Sequence, residues 1–118
     1  METNELYPVF LKVNELNVLI VGGGNVGLEK LTFLLKSSPR ANVEIISETF
    51  HSDLVQLANK HKTVKLTKKS YDVSDLSNRH IVVGCTDSKA TNLKINQDAK
   101  KRYLLVNIAD TPNQCDFY

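Results

Sequence analysis

Three consecutive glycines directly follow a short apolar run in the stretch NVLIVGGGNVGLEK, residues 17–30. Glycine within regular structure costs about 0.5–1 kcal/mol relative to alanine, so a cluster of glycines needs a reason. Gly22, Gly24 and Gly27 have the Gly-x-Gly-x-x-Gly spacing of a dinucleotide-binding loop. In such a loop the first glycine permits a tight turn, the second lets a pyrophosphate approach the backbone, and the third lets helix and strand pack closely. The alternative is that these glycines serve only the turn and the packing.

The residues after the glycines are predicted to begin a helix. From Asn25 onwards apolar side chains recur at helical spacing until Pro39 stops the helix. The start of a helix offers unpaired amides and partial positive charge, which favour an anion. We therefore expect Asn25 and Val26 to contact the cofactor's phosphates.

The second predicted strand ends where an adenine ribose would be held. An acidic residue usually occupies this position, about 20 residues after the glycines. Here it is Ser47, with Glu48 directly after it. Serine can hydrogen-bond a ribose hydroxyl without repelling a 2′-phosphate, whereas Glu48 repels one if its side chain turns inward. Ser47 and Glu48 together predict NAD rather than NADP as the cofactor. The alternative is that the Glu48 side chain faces outward and does not act on the cofactor.

Two further loops should border the same crevice, because ligands bind outside the carboxyl ends of parallel strands, where the strand order reverses. Thr86 and Asp87 follow the fourth predicted strand; they either contact the cofactor or cap the next helix. Asp110 follows the fifth strand and is a candidate general base that takes a proton as a hydride leaves the same substrate. The alternative for Asp110 is a turn that prepares for Pro112.

The elements that position these residues alternate between strands and helices. Apolar and β-branched runs predict five strands, at residues 17–21, 42–47, 63–66, 80–85 and 103–109. The segment YPVFLKV, residues 7–13, is predicted to form a short strand or a strand-like arm at an edge, since Pro8 cannot donate to a central ladder.

Helical patterns lie between these strands. They cover the segment that Pro39 ends, residues 51–61 with Ser52 as N-cap, and residues 88–102. Strands that alternate with helices through right-handed crossovers give a parallel sheet. The sequence therefore predicts a Rossmann-like, doubly wound α/β fold with strand order 3-2-1-4-5 and three αβα layers.

Composition limits the classes of protein. The chain has 118 residues, a net charge of +2 and two cysteines without metal-ligand spacing. These features predict one domain over residues 1–118, with no metal site, no nucleic-acid partner and no membrane segment. Reduced thiols and a polar N-terminus favour a cytoplasmic location.

Three segments together resemble a known family. YPVFLKVNELNVLIVGGGNVGLEK, VVGCTDSKATN and VNIADTPNQCDFY, in this order and spacing, are similar to the N-terminal part of siroheme synthase, the precorrin-2 dehydrogenase and sirohydrochlorin ferrochelatase family. The resemblance implies oxidation of precorrin-2, a tetrapyrrole, to sirohydrochlorin with NAD⁺, and in some members insertion of Fe²⁺. It also implies that Asp110 is the catalytic residue and that the parent protein is a homodimer.

The chain departs from that family in ways that limit the expected activity. Family members continue past the CDF residues into a dimerisation region and a helical segment, which we expect to be absent after Tyr118. A polycarboxylate substrate needs cations, and Lys30 and Lys89 are the nearest candidates. We expect weak NAD binding and little turnover by these residues alone. The alternative function is a non-catalytic domain that senses NAD(H).

Overall fold

The computed structural model describes residues 5–118. Five strands form one sheet in which all neighbouring strands run parallel. In chain order they are β1 (Asn17–Val21), β2 (Asn42–Ser47), β3 (Val64–Lys68), β4 (Ile81–Gly84) and β5 (Leu105–Ile108). Their spatial order, β3-β2-β1-β4-β5, confirms the predicted doubly wound arrangement.

Three helices cover the sheet: α1 (Asn25–Ser37), α2 (Ser52–Asn59) and α3 (Lys89–Lys101). Alternate side chains of a strand point to opposite faces of the sheet. Ile20 of β1 accordingly shares a core with Leu31 of α1 and Leu54 of α2. Its neighbour Leu19 shares a second core with Ile95 of α3. The helices thus form the two outer layers of the predicted αβα sandwich.

The register of the sheet brings the carboxyl ends of four strands into one row. Val21 of β1 lies opposite Ile46 of β2 on one side and Gly84 of β4 on the other. Gly84 in turn lies opposite Ile108 of β5. The loops that follow these strands therefore emerge at one edge of the sheet, on both sides of the β1–β4 switch point.

The predicted strand over residues 7–13 is wrong. Residues 5–12 form no regular element, and Val13–Glu15 is a 3-10 turn. One of the two sheet edges, that of β5, is already occupied, since the amide of Asp116 donates to the Val106 carbonyl at 2.7 Å. Tyr7 and Phe10 are left exposed.

Most other element bounds differ from the prediction by one or two residues, and at two of them local capping or turn geometry gives the reason. The N-cap of α2 is His51 instead of Ser52, and its Nδ1 accepts a hydrogen bond from the Asp53 amide at 3.0 Å. The fifth strand begins at Leu105 because Tyr103, with a φ of 59°, belongs to the turn that ends α3. The polar connection after β3 also contains a 3-10 turn, Val73–Leu76.

Candidate functional site

The glycine loop between β1 and α1 has the geometry that its spacing predicts. Gly22 has a φ of +127°, and a Cβ placed on it would lie 2.5 Å from the Cys85 carbonyl oxygen. A Cβ on Gly27 would overlap the carbonyl oxygen of Gly22, so the third glycine permits the close packing of helix and loop. A Cβ on Gly24 would meet no atom within 4 Å. Gly24 therefore borders open space that a side chain would fill.

The start of α1 presents amides to that space. Gly24 is the N-cap residue and provides no side-chain cap, and the first turn contains no acidic residue. The first bond of the helix runs from the Leu28 amide to the Gly24 carbonyl at 3.0 Å. Within residues 5–118, the amides of Asn25, Val26 and Gly27 have no protein acceptor. Unpaired amides at the positive end of a helix dipole fit a phosphate group.

A cavity of about 550 Å³ opens in front of the glycine loop, within the range of ligand sites. Ser47 and Glu48 line it at the end of β2, as predicted for the ribose position. Ser70 holds the Glu48 carboxylate by donating its hydroxyl hydrogen bond. Glu48 thus contributes to the rim of the cavity while remaining exposed to solvent.

The far wall of this cavity includes residues that the sequence did not single out. Ser70 and Tyr71 lie in the polar connection after β3, where no motif marked them. The Tyr71 hydroxyl donates to the buried Asp98 carboxylate at 2.8 Å. Burial, together with this bond and the nearby carboxylate charge, raises the pKa of Tyr71 well above its usual value, so the phenol stays neutral.

Thr86 and Asp87 also line the cavity, but within residues 5–118 the Thr86 side chain is already hydrogen-bonded and the Asp87 side chain is not. The Thr86 hydroxyl donates to Asn92 Oδ1 at 2.7 Å, and Asn92 Nδ2 donates back to the Thr86 carbonyl at 3.1 Å. Thr86 thus fixes the shape of the loop. Asp87 is exposed and caps nothing, because Ser88 is the N-cap of α3. Of the two, Asp87 keeps a side chain available for a ligand.

Asp110 follows β5 at the same edge of the sheet, as the strand order predicts. It is exposed and has a φ of 59°. Aspartate adopts a left-handed backbone more readily than most residues, and Tyr103 has the same φ in the turn that ends α3, so this conformation belongs to the turn. The turn before Pro112 does not use the Asp110 side chain, since the Thr111 amide donates to the Ile108 carbonyl at 3.2 Å. The carboxylate is therefore available for chemistry.

A second cavity, of about 200 Å³, lies beside Asp110. Lys30 of α1 lines it opposite the β5 loop, together with Asn107, Thr111 and Cys115. Asn107 Nδ2 donates to the Phe117 carbonyl at 2.9 Å, while its buried Oδ1 accepts no hydrogen bond from residues 5–118. The wall of this cavity is thus mixed in charge and polarity.

Cys85 places a thiol in the site, but this thiol is not reactive. It lines the larger cavity and donates its Sγ hydrogen to the Val21 carbonyl at 3.3 Å. Burial raises the pKa of the Cys85 thiol to about 12, although the charge of Lys30 lowers it slightly. At neutral pH this thiol is protonated and is a poor nucleophile.

The described part of the chain contains no group of three His, Cys, Asp or Glu side chains that could hold a metal ion. Among residues 5–118, no helix is both long enough and apolar enough to span a membrane.

Comparisons with known proteins agree with this geometry. Residues 9–118 match the NAD_binding_7 family model, described as "Putative NAD(P)-binding". Siroheme synthases are among the similar proteins: that of Methylococcus capsulatus is 34% identical over 110 residues, and that of Nitrosomonas eutropha is 30% identical over 113 residues. These alignments cover 93% and 96% of this chain but 23% of each relative. The chain therefore spans about a quarter of the length of these relatives.

A solved structure is similar as well. "SirC, precorrin-2 dehydrogenase" has a TM-score of 0.74 and 25% sequence identity, over 90% of this chain and 50% of that chain. The similarity extends over the whole strand order and confirms the Rossmann-like fold.

Proposed function

The chain belongs to the NAD_binding_7 family, and on that premise we propose that it is the cofactor-binding part of a precorrin-2 dehydrogenase of siroheme synthesis. The proposed reaction removes two electrons from precorrin-2 and yields sirohydrochlorin, with NAD⁺ as the oxidant. Its support comes from the siroheme synthases that match nearly the whole chain and from the precorrin-2 dehydrogenase that shares its fold.

One observation carries the proposal: a cradle without side chains and a free carboxylate lie at the same edge of the sheet. Gly24 leaves open space before the unpaired amides of Asn25 and Val26. Asp110 follows β5, which is the second strand from β1 along the sheet. A site for dinucleotide-dependent oxidation needs both an anion-binding cradle and a proton acceptor.

The residues of the larger cavity are proposed to hold the cofactor in a fixed direction. The amides of Gly24, Asn25 and Val26 hold the pyrophosphate, Ser47 and Glu48 hold the adenine ribose, and Thr86 and Asp87 border the other end. Because the Glu48 carboxylate lines the cavity, it would repel a 2′-phosphate. We therefore expect NAD⁺ to bind more tightly than NADP⁺ in parallel titrations.

The proposed role of Asp110 is to accept a proton. A bound nicotinamide supplies a hydride acceptor. The substrate then loses one hydride and one proton, and the proton goes to the Asp110 carboxylate, which has no ion-pair partner within residues 5–118. Insertion of Fe²⁺ and a homodimeric parent protein stay predictions from the resemblance, and a cytoplasmic location stays a prediction from the cysteines and the N-terminus.

Asp110→Asn tests the proposal. Asparagine tolerates a left-handed backbone, so the loop should keep its shape while the proton acceptor is removed. The reactions are run under single-turnover conditions, with protein and NAD⁺ in excess over precorrin-2. We expect the wild type to form NADH slowly and the variant to lower this rate by about 10²–10⁴-fold. The NAD⁺ affinity of the variant should equal that of the wild type.

The same experiment distinguishes the alternative. A domain that only senses NAD(H) would bind the cofactor, form no NADH with precorrin-2 and be indifferent to Asp110→Asn. A rate of NADH formation that Asp110→Asn leaves unchanged, or a loss of NAD⁺ affinity in this variant, would contradict the proposed role of Asp110.

A further inference from the structure

Lys30 is a partly buried cation without a counter-ion. Three cations of the described chain are partly buried: Lys30, Lys69 and Arg79. Lys69 pairs with Asp75, and Arg79 pairs with Glu44. Lys30 has no carboxylate of residues 5–118 within 4.0 Å. Of these three cations, Lys30 is therefore the one whose charge is not already used in an ion pair within residues 5–118.

The surroundings of Lys30 indicate which partner would fit. It lines the cavity of about 200 Å³ that also contains Asp110. Sites for whole drug-sized ligands have volumes of about 300–1,000 Å³, so this cavity suits a side chain of a large ligand better than the ligand itself. Lys30 is the one cation among the lining residues of this cavity, so an anionic side chain can pair with it there.

We propose that Lys30 binds a carboxylate side chain of the tetrapyrrole and is a positioning residue for the oxidation. The inference rests on the proposed function, because it takes the substrate to be a tetrapyrrole polycarboxylate. A carboxylate of the substrate would be repelled by Asp110 and attracted by Lys30. The two charges would therefore draw that side chain to the α1 wall of the cavity and leave Asp110 facing the ring.

Helix α1 connects the two binding events. Its N-cap, Gly24, borders the space proposed for the pyrophosphate, and Lys30 lies six positions later, or about 9 Å along the helix axis. A single rigid element thus presents both the cofactor cradle and the proposed substrate anchor. Their separation along the axis is fixed by the helix.

The test measures binding of sirohydrochlorin, the proposed product, to the 118-residue chain saturated with NAD⁺. Binding is followed by the change in tetrapyrrole absorbance. The variants are Lys30→Gln, Lys30→Arg and, as a matched control, Lys36→Gln, which removes an exposed lysine from the last turn of the same helix. We expect Lys30→Gln to weaken binding by about 10-fold or more, since a charge-assisted hydrogen bond is lost.

Arginine should restore most of the affinity, and the Lys36 control should match the wild type. NAD⁺ affinity and melting temperature should be unchanged in all variants. As the salt concentration rises, the sirohydrochlorin affinity of the wild type should fall more steeply than that of Lys30→Gln. A lysine with only a structural role would not produce this difference.

Three results would overturn the inference. Equal sirohydrochlorin affinity of wild type and Lys30→Gln would refute it and leave the proposed function intact. Loss of NAD⁺ affinity in Lys30→Gln would place this lysine in the cofactor site. Failure of the NAD⁺-saturated wild type to bind sirohydrochlorin would refute both the inference and the substrate named in the proposed function.

Discussion

At the scale of single residues, the glycine spacing was the most informative feature of the sequence. It predicted a turn at Gly22, an open approach at Gly24 and close packing at Gly27, and the structure has all three. Contacts made by ordinary polar side chains were not predictable in this way. The pairing of Thr86 with Asn92 depends on how a loop folds back on a helix, and no spacing rule encodes it.

Gly24→Ser separates the ligand role of the glycine loop from its folding role. Serine is a better N-cap than alanine and suits the extended backbone of this position, so folding stability should be unchanged or slightly higher. The new side chain would enter the open space and compete for the same amides. We expect NAD⁺ affinity, measured by calorimetry, to fall by about 10-fold or more.

Gly27→Ala is the matched contrast. Its Cβ would overlap the Gly22 carbonyl, so this variant should lose stability before it loses any specific ligand contact. Unchanged NAD⁺ affinity in a folded Gly24→Ser variant would refute the proposed cradle.

At the scale of elements, the buried strands were predictable because their composition matches their environment. Residues 17–21 and 42–47 are the bounds of β1 and β2 in both the prediction and the structure. Apolar composition failed for residues 7–13 because a strand also needs a pairing partner, and partners far away in sequence determine whether it forms.

The edge of β5 is closed by the segment that includes Cys115 and Asp116. The outward amide of Val106 donates to Asp116 Oδ2 at 3.0 Å, and that of Ile108 donates to Cys115 Sγ at 3.2 Å. Asp116 also pairs with Lys100 of α3. Asp116 thus protects the exposed edge of the sheet.

Glu44 connects three elements and makes their association pH-dependent. It lies on β2, accepts a hydrogen bond from Thr67 of β3 and pairs with Arg79, which precedes β4. Burial raises the pKa of Glu44. The hydrogen bonds from Thr67 and Arg79, together with the positive charges of Arg79 and Lys65, lower it by more, so the pKa lies below its usual 4.5. Because the pKa of Glu44 is lower in the folded protein than in the unfolded chain, its ionised carboxylate stabilises the fold when the pH is above the usual pKa. This stabilisation is lost as the pH falls through the lowered pKa of the folded protein.

Glu44→Gln should therefore cost about 1–3 kcal/mol of unfolding free energy at pH 6 and much less near pH 3. Urea unfolding at pH 6, 4.5 and 3 measures the difference, and Glu15→Gln, which changes an exposed carboxylate, is the control. A difference between wild type and Glu44→Gln that stays constant with pH would show that the carboxylate charge is not responsible.

At the scale of the whole molecule, the topology assembles a site from segments that are distant in sequence. The strand order reverses between β1 and β4, and ligands of open α/β sheets bind at that point. The glycine loop, Glu48, Asp87 and Asp110 all follow strands that end at this edge. The sequence predicted that these loops share one edge, because this requires only the strand order. Asp110 lines the smaller cavity, whereas the glycine loop, Glu48 and Asp87 line the larger one. The cavity beside Lys30 was not predictable, since its shape depends on how the chain turns after β5.

The central claim is that backbone amides at the start of α1 hold the dinucleotide's pyrophosphate. Titration of NAD⁺ into the ¹⁵N-labelled chain, followed by amide chemical shifts, tests it most directly. The account predicts that the largest shifts belong to Gly24, Asn25, Val26 and Gly27. NAD⁺ binding that leaves these four amides unshifted, or an absence of binding, would contradict it.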